Sequence, residues 1–289
     1  MALKKLAILT THPIQYYAPV FRMLSERKNI EIKVFYSWGG TSLKKYDPGF
    51  GRVIEWDIPL LDGYEYEFLE NSSTDPGTHH FYGILNPRIK QQIEVWKPDT
   101  VLVIGWNYHS HLRALRHFHG RLPVLFRGDS NLLDEVPGWK KIARRLALTW
   151  VYRYVDIALY TGSANKQYFV AHGLKENQLI FAPHAVENER FTDNKTRRYA
   201  ERALSWRREI GFSDEDIVLL FAGKLEPKKG IDLLLETFMR IDNSKMKLLI
   251  VGSGDAESKL KATAAKDTRV HFLPFQNQTK MPVVYRLGD

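Results

Sequence analysis

The stretch FAGKLEPKKGIDLLLETF, residues 221–238, sets Lys224, Lys228 and Lys229 in one short loop between an apolar run and an amphipathic one. The first run reads as a buried strand and the second as a helix, with Gly223 and Gly230 framing the loop. A helix amino terminus at the carboxyl end of a strand offers unpaired N–H groups and partial positive charge. Lysines gathered there suit a phosphate or diphosphate. Gly223 permits a tight turn, and Gly230 a close approach at the first helical turn. The competing reading is a solvated run of charge. Other phosphate motifs fit less well. A Walker loop needs glycine where Val218 stands and Ser or Thr where Leu225 stands. VGSGDAE supplies Gly252 and Gly254 after a strand, but Glu257 takes the place of the third glycine of a dinucleotide fingerprint.

The elements that hold this loop alternate along nearly the whole chain. LAILTT, EIKVFYSW, TVLVIG, LPVLFRG, IALYTG and QLIFAP read as strands separated by helical patterns, which predicts a parallel sheet covered on both faces. A long irregular stretch from Gly39 to about His80 holds two more strand candidates, RVIEWDI and YEYEFLE. Residues 183–216 break the rhythm with dense charge, after which three further strand–helix units follow. The expectation is an α/β protein of two Rossmann-like domains, 1–185 and 216–289, joined by a connection over 186–215, the second domain incomplete.

Composition narrows the function. The 289 residues contain no cysteine, which excludes disulfides and thiol-based metal or redox sites in this sequence. No apolar run approaches the roughly 18 residues that span a bilayer. The net charge of +9, from 42 Lys+Arg against 33 Asp+Glu, favours anionic partners. Nucleic acid is not expected among them, because no stacking platform, finger or basic recognition helix is present.

With these motifs in place, the chain resembles the family 4 glycosyltransferases, retaining enzymes whose two Rossmann-like domains face a cleft (the GT-B fold). FAGKLEPKKGIDLLLETF resembles their donor-phosphate loop, APHAVENERF their inter-domain segment and IVGSGDAESKL their second glycine turn. VHFLPF…MPVVYRLGD and the amino-terminal THPIQYYAPVFRML are similar to further family segments. The resemblance implies donor-phosphate contacts at Gly223, Lys224, Lys229 and Gly230, with Gly252, Gly254 and His184 also on the donor side of the cleft. It implies a nucleotide-sugar donor, a carbohydrate or lipid-linked acceptor, and no cofactor or metal. The family's Glu-x7-Glu segment would lie beyond Asp289, so the expectation is a fragment or a shortened form.

The resemblance puts the acceptor on the first domain, at its strand ends. His12 and Gln15 follow the first strand, Asn107 and His109 follow TVLVIG, and Arg127, Asp129 and Ser130 follow LPVLFRG. Asp129 is the only catalytic candidate, and the plainer reading makes it and His12 local caps. The histidines of HSHLRALRHFH are not joined by a carboxylate, so they read as surface or cleft residues and not as a metal site. Asp214–Asp216 precedes a strand and reads as a solvated turn. In WKKIARRLALTWVYRY, Trp139, Ile142, Leu146 and Trp150 share a face opposite Lys140, Lys141, Arg144 and Arg145. That face either packs on the sheet or lies on anionic lipid. A retaining transferase is one reading of the whole, located in the cytoplasm or peripherally on the inner membrane face. The other is a module that binds sugar or nucleotide without transfer.

Overall fold

The computed structural model describes residues 3–133, 135 and 138–289. Among these described residues are twelve strands: β1 Lys4–Thr10, β2 Ile30–Tyr36, β3 Lys44–Asp47, β4 Arg52–Glu55, β5 Glu65–Phe68, β6 Thr100–Ile104, β7 Val124–Arg127, β8 Ile157–Tyr160, β9 Leu179–Phe181, β10 Ile217–Ala222, β11 Met246–Val251 and β12 Val270–Leu273. Packing divides the chain into two units. The first runs to Leu43 and resumes over Leu60–Val186; the second is Lys44–Pro59 with Glu187–Asp289. Residues 44–59, read from sequence as part of the first domain, thus pack with the second unit.

The first unit is a seven-stranded sheet in the order β5-β2-β1-β6-β7-β8-β9. Every neighbouring pair is parallel. Central β1 has Ala7, Ile8 and Leu9 fully buried, pointing to both faces, which is why it reads as a continuous apolar run and does not alternate. The chain winds outward from β1 through β2 to β5, then returns to pair β6 on the other side of β1. Strand order therefore reverses between β1 and β6, where the following loops diverge and leave a crevice at the strand ends.

His111 closes this part of the core. It is fully buried, which corrects the expectation of a surface or cleft histidine. Nδ1 faces the carbonyls of Gly105 and Ile104 at 2.9 and 3.1 Å, so it carries the proton. Nε2 then accepts from the Ser37 hydroxyl at 2.7 Å. Burial pushes the imidazole pKa down to about 4, against a smaller upward pull from those two carbonyls.

The second unit is a three-stranded parallel sheet, β10-β11-β12. Leu248 and Ile250 of β11 pack with Ile231, Leu235, Phe238 and Leu260. The alternate residues Leu249 and Val251 pack with Val218, Ala203, Phe212 and Leu287, so both faces are covered. Ala203 belongs to helix Tyr199–Glu209, which sequence had placed in the connection; here it covers one face of the sheet. Strands β3 and β4 form an antiparallel hairpin turning through Asp47-Pro48-Gly49 and on to Gly51.

Helix Trp139–Tyr152 buries only Leu148, Val151 and Tyr152. Trp139, Ile142, Leu146 and Trp150 are 75%, 65%, 69% and 40% exposed, so the stripe expected to pack on the sheet or meet lipid does not pack on the sheet. Among the described residues no helix is long and apolar enough to cross a membrane.

The depressed His111 pKa gives a signed pH effect. Between its folded pKa and the unfolded value near 6.5, the unfolded chain binds the extra proton, so stability falls as pH drops through that window. The expected slope from this residue is on the order of 1 kcal/mol per pH unit. Urea unfolding at pH 7 and pH 5 should show His111→Gln with a lower midpoint at pH 7 and a smaller loss on acidification than the parent. An equal acid loss in both proteins contradicts the assignment.

Candidate functional site

Strand β10 ends at Ala222 and delivers Gly223 and Lys224 to the carboxyl edge of the second unit's sheet. Leu225 is buried and anchors the loop in the core, while Lys228 and Lys229 are exposed. Gly230, at φ +65°, caps helix Ile231–Met239 in a left-handed conformation that favours glycine. The second glycine turn packs directly beneath. A Cβ on Gly252 would collide with the Gly223 carbonyl, and one on Gly254 would lie 2.7 Å from the Leu225 carbonyl and 2.9 Å from that of Gly49. Both glycines also have positive φ, so close backbone approach fixes their identity. Gly252 and Gly254 thus lie against the backbone of Gly223 and Leu225, which flank Lys224, while Lys229 and Gly230 stand at the helix entrance. Among the described residues, the Lys229 ammonium makes no ion pair, whereas Lys228 pairs with Glu226 at 2.7 Å.

Lys224 is not open to solvent alone. Its Nζ donates to Asp47 Oδ1 at 2.7 Å and lies 4.9 Å from the Phe50 ring centroid. Asp47 also accepts from the amides of Gly49 and Phe50 at 2.9 and 3.2 Å. Burial pulls the Asp47 carboxyl upward, but Lys224 and these amides outweigh it and hold the pKa below the usual value. Lys45, on the same hairpin, is pushed down to about 8, mainly by burial, with Lys224 adding to the shift and Asp47 opposing it. The hairpin is held by the Ser253 hydroxyl donating to the Phe50 carbonyl at 2.9 Å and by Asn277 Nδ2 donating to Glu55 at 2.8 Å. Thr279 bonds Asp57 through its amide and its hydroxyl. Sequence reading missed Asp47, Lys45 and Phe50. Asp-Pro-Gly announced a turn, but nothing in it announced a partner 177 residues away.

In the first unit, the loops after β1, β7 and β9 converge. The Arg127 guanidinium is buried and donates to the Tyr17 hydroxyl at 3.2 Å and to the carbonyls of Ala182 and Pro183 at 2.7 and 3.4 Å. It holds these loops together, and this leaves few donors for a ligand. Asp129 is exposed beside Tyr16, which also stacks edgewise on His184 at 5.8 Å. Partial burial, then the neighbours Tyr17 and Asp129, push the Tyr16 phenol up to about 12, with Arg127 opposing. Tyr16 therefore stays a neutral hydrogen-bond donor at physiological pH. His184 lies in the first unit, within the domain 1–185 expected from sequence. His12 bonds the Thr11 hydroxyl through Nδ1 at 2.8 Å and packs edgewise on Trp38. Half-buried Gln15 and exposed Asn107 flank the β1/β6 crevice from its two loops. His109 packs against Phe81 and Tyr82, and burial and then Arg113 lower its pKa. Asp75, His79 and His80, which the sequence reading did not weigh, bring ligand atoms within 4.8 Å of one another on an exposed loop.

Residues 204–289 match the family model described as Glycosyl transferases group 1. An uncharacterized glycosyltransferase of Methanocaldococcus jannaschii is 32% identical over 93 residues, which make up 31% of this chain and 24% of that protein. The chain thus matches about a quarter of that curated relative's length. Among solved structures, Anabaena HepE in complex with UDP and glucose aligns with a TM-score of 0.66 at 16% identity, covering 99% of this chain and 72% of HepE. The UDP-GlcNAc 2-epimerase of Neisseria meningitidis, bound to UDP-GlcNAc, aligns at 0.55 and 16% identity over 98% of this chain and 75% of its own. The fold is α/β with parallel, Rossmann-like sheets of the GT-B kind. The epimerase likeness shows that this fold is not confined to sugar transfer.

The Asp47 geometry predicts the response of the hairpin. Asp47→Asn removes the charge that Lys224 faces in a partly buried pair, which should cost about 1–2 kcal/mol and loosen residues 44–59. Limited proteolysis should cut the variant first within this segment. An unchanged digestion pattern would show that Ser253, Asn277 and Thr279 hold the hairpin without the ion pair.

Proposed function

We propose that the protein is a retaining family 4 glycosyltransferase that moves a sugar from a nucleoside diphosphate donor to an acceptor hydroxyl. The observation that carries this reading is the meeting of Lys224, Lys229 and the amino terminus of helix Ile231–Met239 at one sheet edge, underlain by Gly252 and Gly254. As the glycosidic bond breaks, negative charge grows on the departing diphosphate. Two ammonium groups and the helix dipole at this sheet edge stabilise that charge. In this reading no metal is required. The acceptor oxygen forms the new bond to the anomeric carbon on the face the diphosphate leaves, and a departing phosphate oxygen takes the acceptor proton. No carboxylate nucleophile is needed, and Asp129 with Tyr16 serves to orient the acceptor. The UDP bound by HepE makes a uridine diphosphate sugar the first donor to try.

A second reading, binding without transfer, is favoured by the Asp47–Lys224 pair, which supplies the lysine with an anion from its own chain. A diphosphate carries more charge than one carboxylate and would displace Asp47 in either reading, so turnover decides between them.

We also place the protein on the cytoplasmic face of an anionic membrane, where it would meet a lipid-linked acceptor. Trp139, Ile142, Leu146 and Trp150 form an exposed apolar stripe on a helix that also carries Lys140 and Arg145, while its Lys141 pairs with Glu135 at 3.1 Å and its Arg144 donates to the Tyr168 hydroxyl at 3.2 Å. Insertion of apolar side chains and attraction of the basic ones then act together.

Calorimetry with UDP, and transfer assays with UDP-glucose and a panel of lipid-linked and free sugar acceptors, test the donor assignment in the intact protein. Lys224→Ala and Lys229→Ala should each weaken UDP binding about tenfold and lower turnover by roughly 10². Undiminished binding and turnover in both variants would sink it; UDP binding without turnover on any acceptor would select the second reading. For the membrane contact, Leu146→Glu should abolish co-sedimentation with phosphatidylglycerol vesicles while leaving UDP binding unchanged. Equal sedimentation of parent and variant removes the helix from that role.

A further inference from the structure

We propose that the outer face of helix His109–Phe118 is a binding site for a phosphate-bearing ligand, formed wholly within the first unit. An open groove of about 670 Å³ runs along this helix. His109, Leu112, Arg113 and Arg116 line it from one face, at helical spacings of three and four, and Lys90 enters from the neighbouring helix Ile89–Val95. The opposite face of the helix, with His111, Ala114, Leu115 and Phe118, is in the core.

The charges in this groove are unbalanced. Glu94 is committed to His117 at 2.6 Å and lies 3.9 Å from Arg121. His119 has Asp156 at 3.8 Å. Among the described residues Lys90, Arg113 and Arg116 have no carboxylate partner; Arg113 reaches only the Pro87 carbonyl at 3.4 Å. Three cations directed to one concavity raise its potential and favour an anion over solvent. The histidine among them points the same way. His109 Nδ1 is buried without a hydrogen-bond partner, and burial and then Arg113 hold the ring neutral. An anion seated here would offset the Arg113 charge that disfavours protonation of the ring.

The chemistry selects phosphate. Two guanidinium forks match phosphate oxygens, and the volume suits more than a single inorganic ion. No Trp, Tyr or Phe lines the groove, so it offers no platform for stacked bases. Arg116 stands 5.5 Å over the Trp150 ring, which joins the groove to the exposed stripe of helix Trp139–Tyr152. The phosphate is therefore that of a phospholipid headgroup or of a soluble phosphorylated molecule. The proposal does not rest on glycosyl transfer.

The test uses Lys224→Ala/Lys229→Ala protein, so that the lysine loop of the second unit does not contribute. Inorganic pyrophosphate titrated at low salt should bind, weaken with added salt, and shift the His109 ring resonances. Adding Arg113→Gln/Arg116→Gln should reduce the affinity at least tenfold with no change in thermal melting. Phosphatidylglycerol vesicles separate the sources. Vesicle binding that also falls tenfold in the Gln variant assigns the groove to a headgroup. Unchanged vesicle binding with lost pyrophosphate binding assigns it to a soluble phosphate. Equal binding of both probes with and without the arginines overturns the proposal, as does binding of a single-stranded oligonucleotide when pyrophosphate fails.

Discussion

Parallel strand pairing with both faces covered is the constraint from which the rest of this protein follows. In inner strands such as β1 and β11 the backbone groups are taken up by the ladder, and apolar side chains on either face are buried. Polar chemistry can then gather only where strands end and helices begin. In the first unit that place is the reversal between β1 and β6, with the loops after β7 and β9 drawn in by Arg127. In the second unit it is the carboxyl edge of β10 and β11, where Gly252 lies against Gly223 closely enough to exclude any side chain. Fold and candidate site share one cause.

The same geometry explains why a charge pair matters at the lysine loop. Lys224 leaves the end of β10 half-buried, and a half-buried ammonium needs an anion nearby. Asp47 supplies one, itself stabilised by two backbone amides. Lys45 beside them is pushed down chiefly by its burial, with Asp47 opposing the shift and Lys224 adding to it.

Surface features of the first unit follow from what its core leaves over. Helix Trp139–Tyr152 meets the core through Leu148, Val151 and Tyr152 and is tied further by Arg144 donating to the Tyr168 hydroxyl, an arrangement that leaves its apolar stripe exposed. Arg116 and Trp150 bring that stripe next to the uncompensated cations of helix His109–Phe118.

Residues close in sequence announced much of this. Runs such as LAILTT and TVLVIG declare buried parallel strands because both faces must be apolar, and Gly223, Gly230, Gly252 and Gly254 mark where the backbone must turn or approach closely. Those are local facts, set by φ/ψ and by periodicity. Tertiary structure alone decided which side chains face one another. Asp47 reaches Lys224 across 177 residues, and Arg127 bonds a carbonyl 55 residues on. His111 proved to be core and the Trp139–Trp150 stripe proved to be surface, although both sit on helices whose extent the sequence had marked closely. An amphipathic pattern specifies that a helix has two faces; which one meets the sheet is settled by the neighbours that the rest of the chain brings to it.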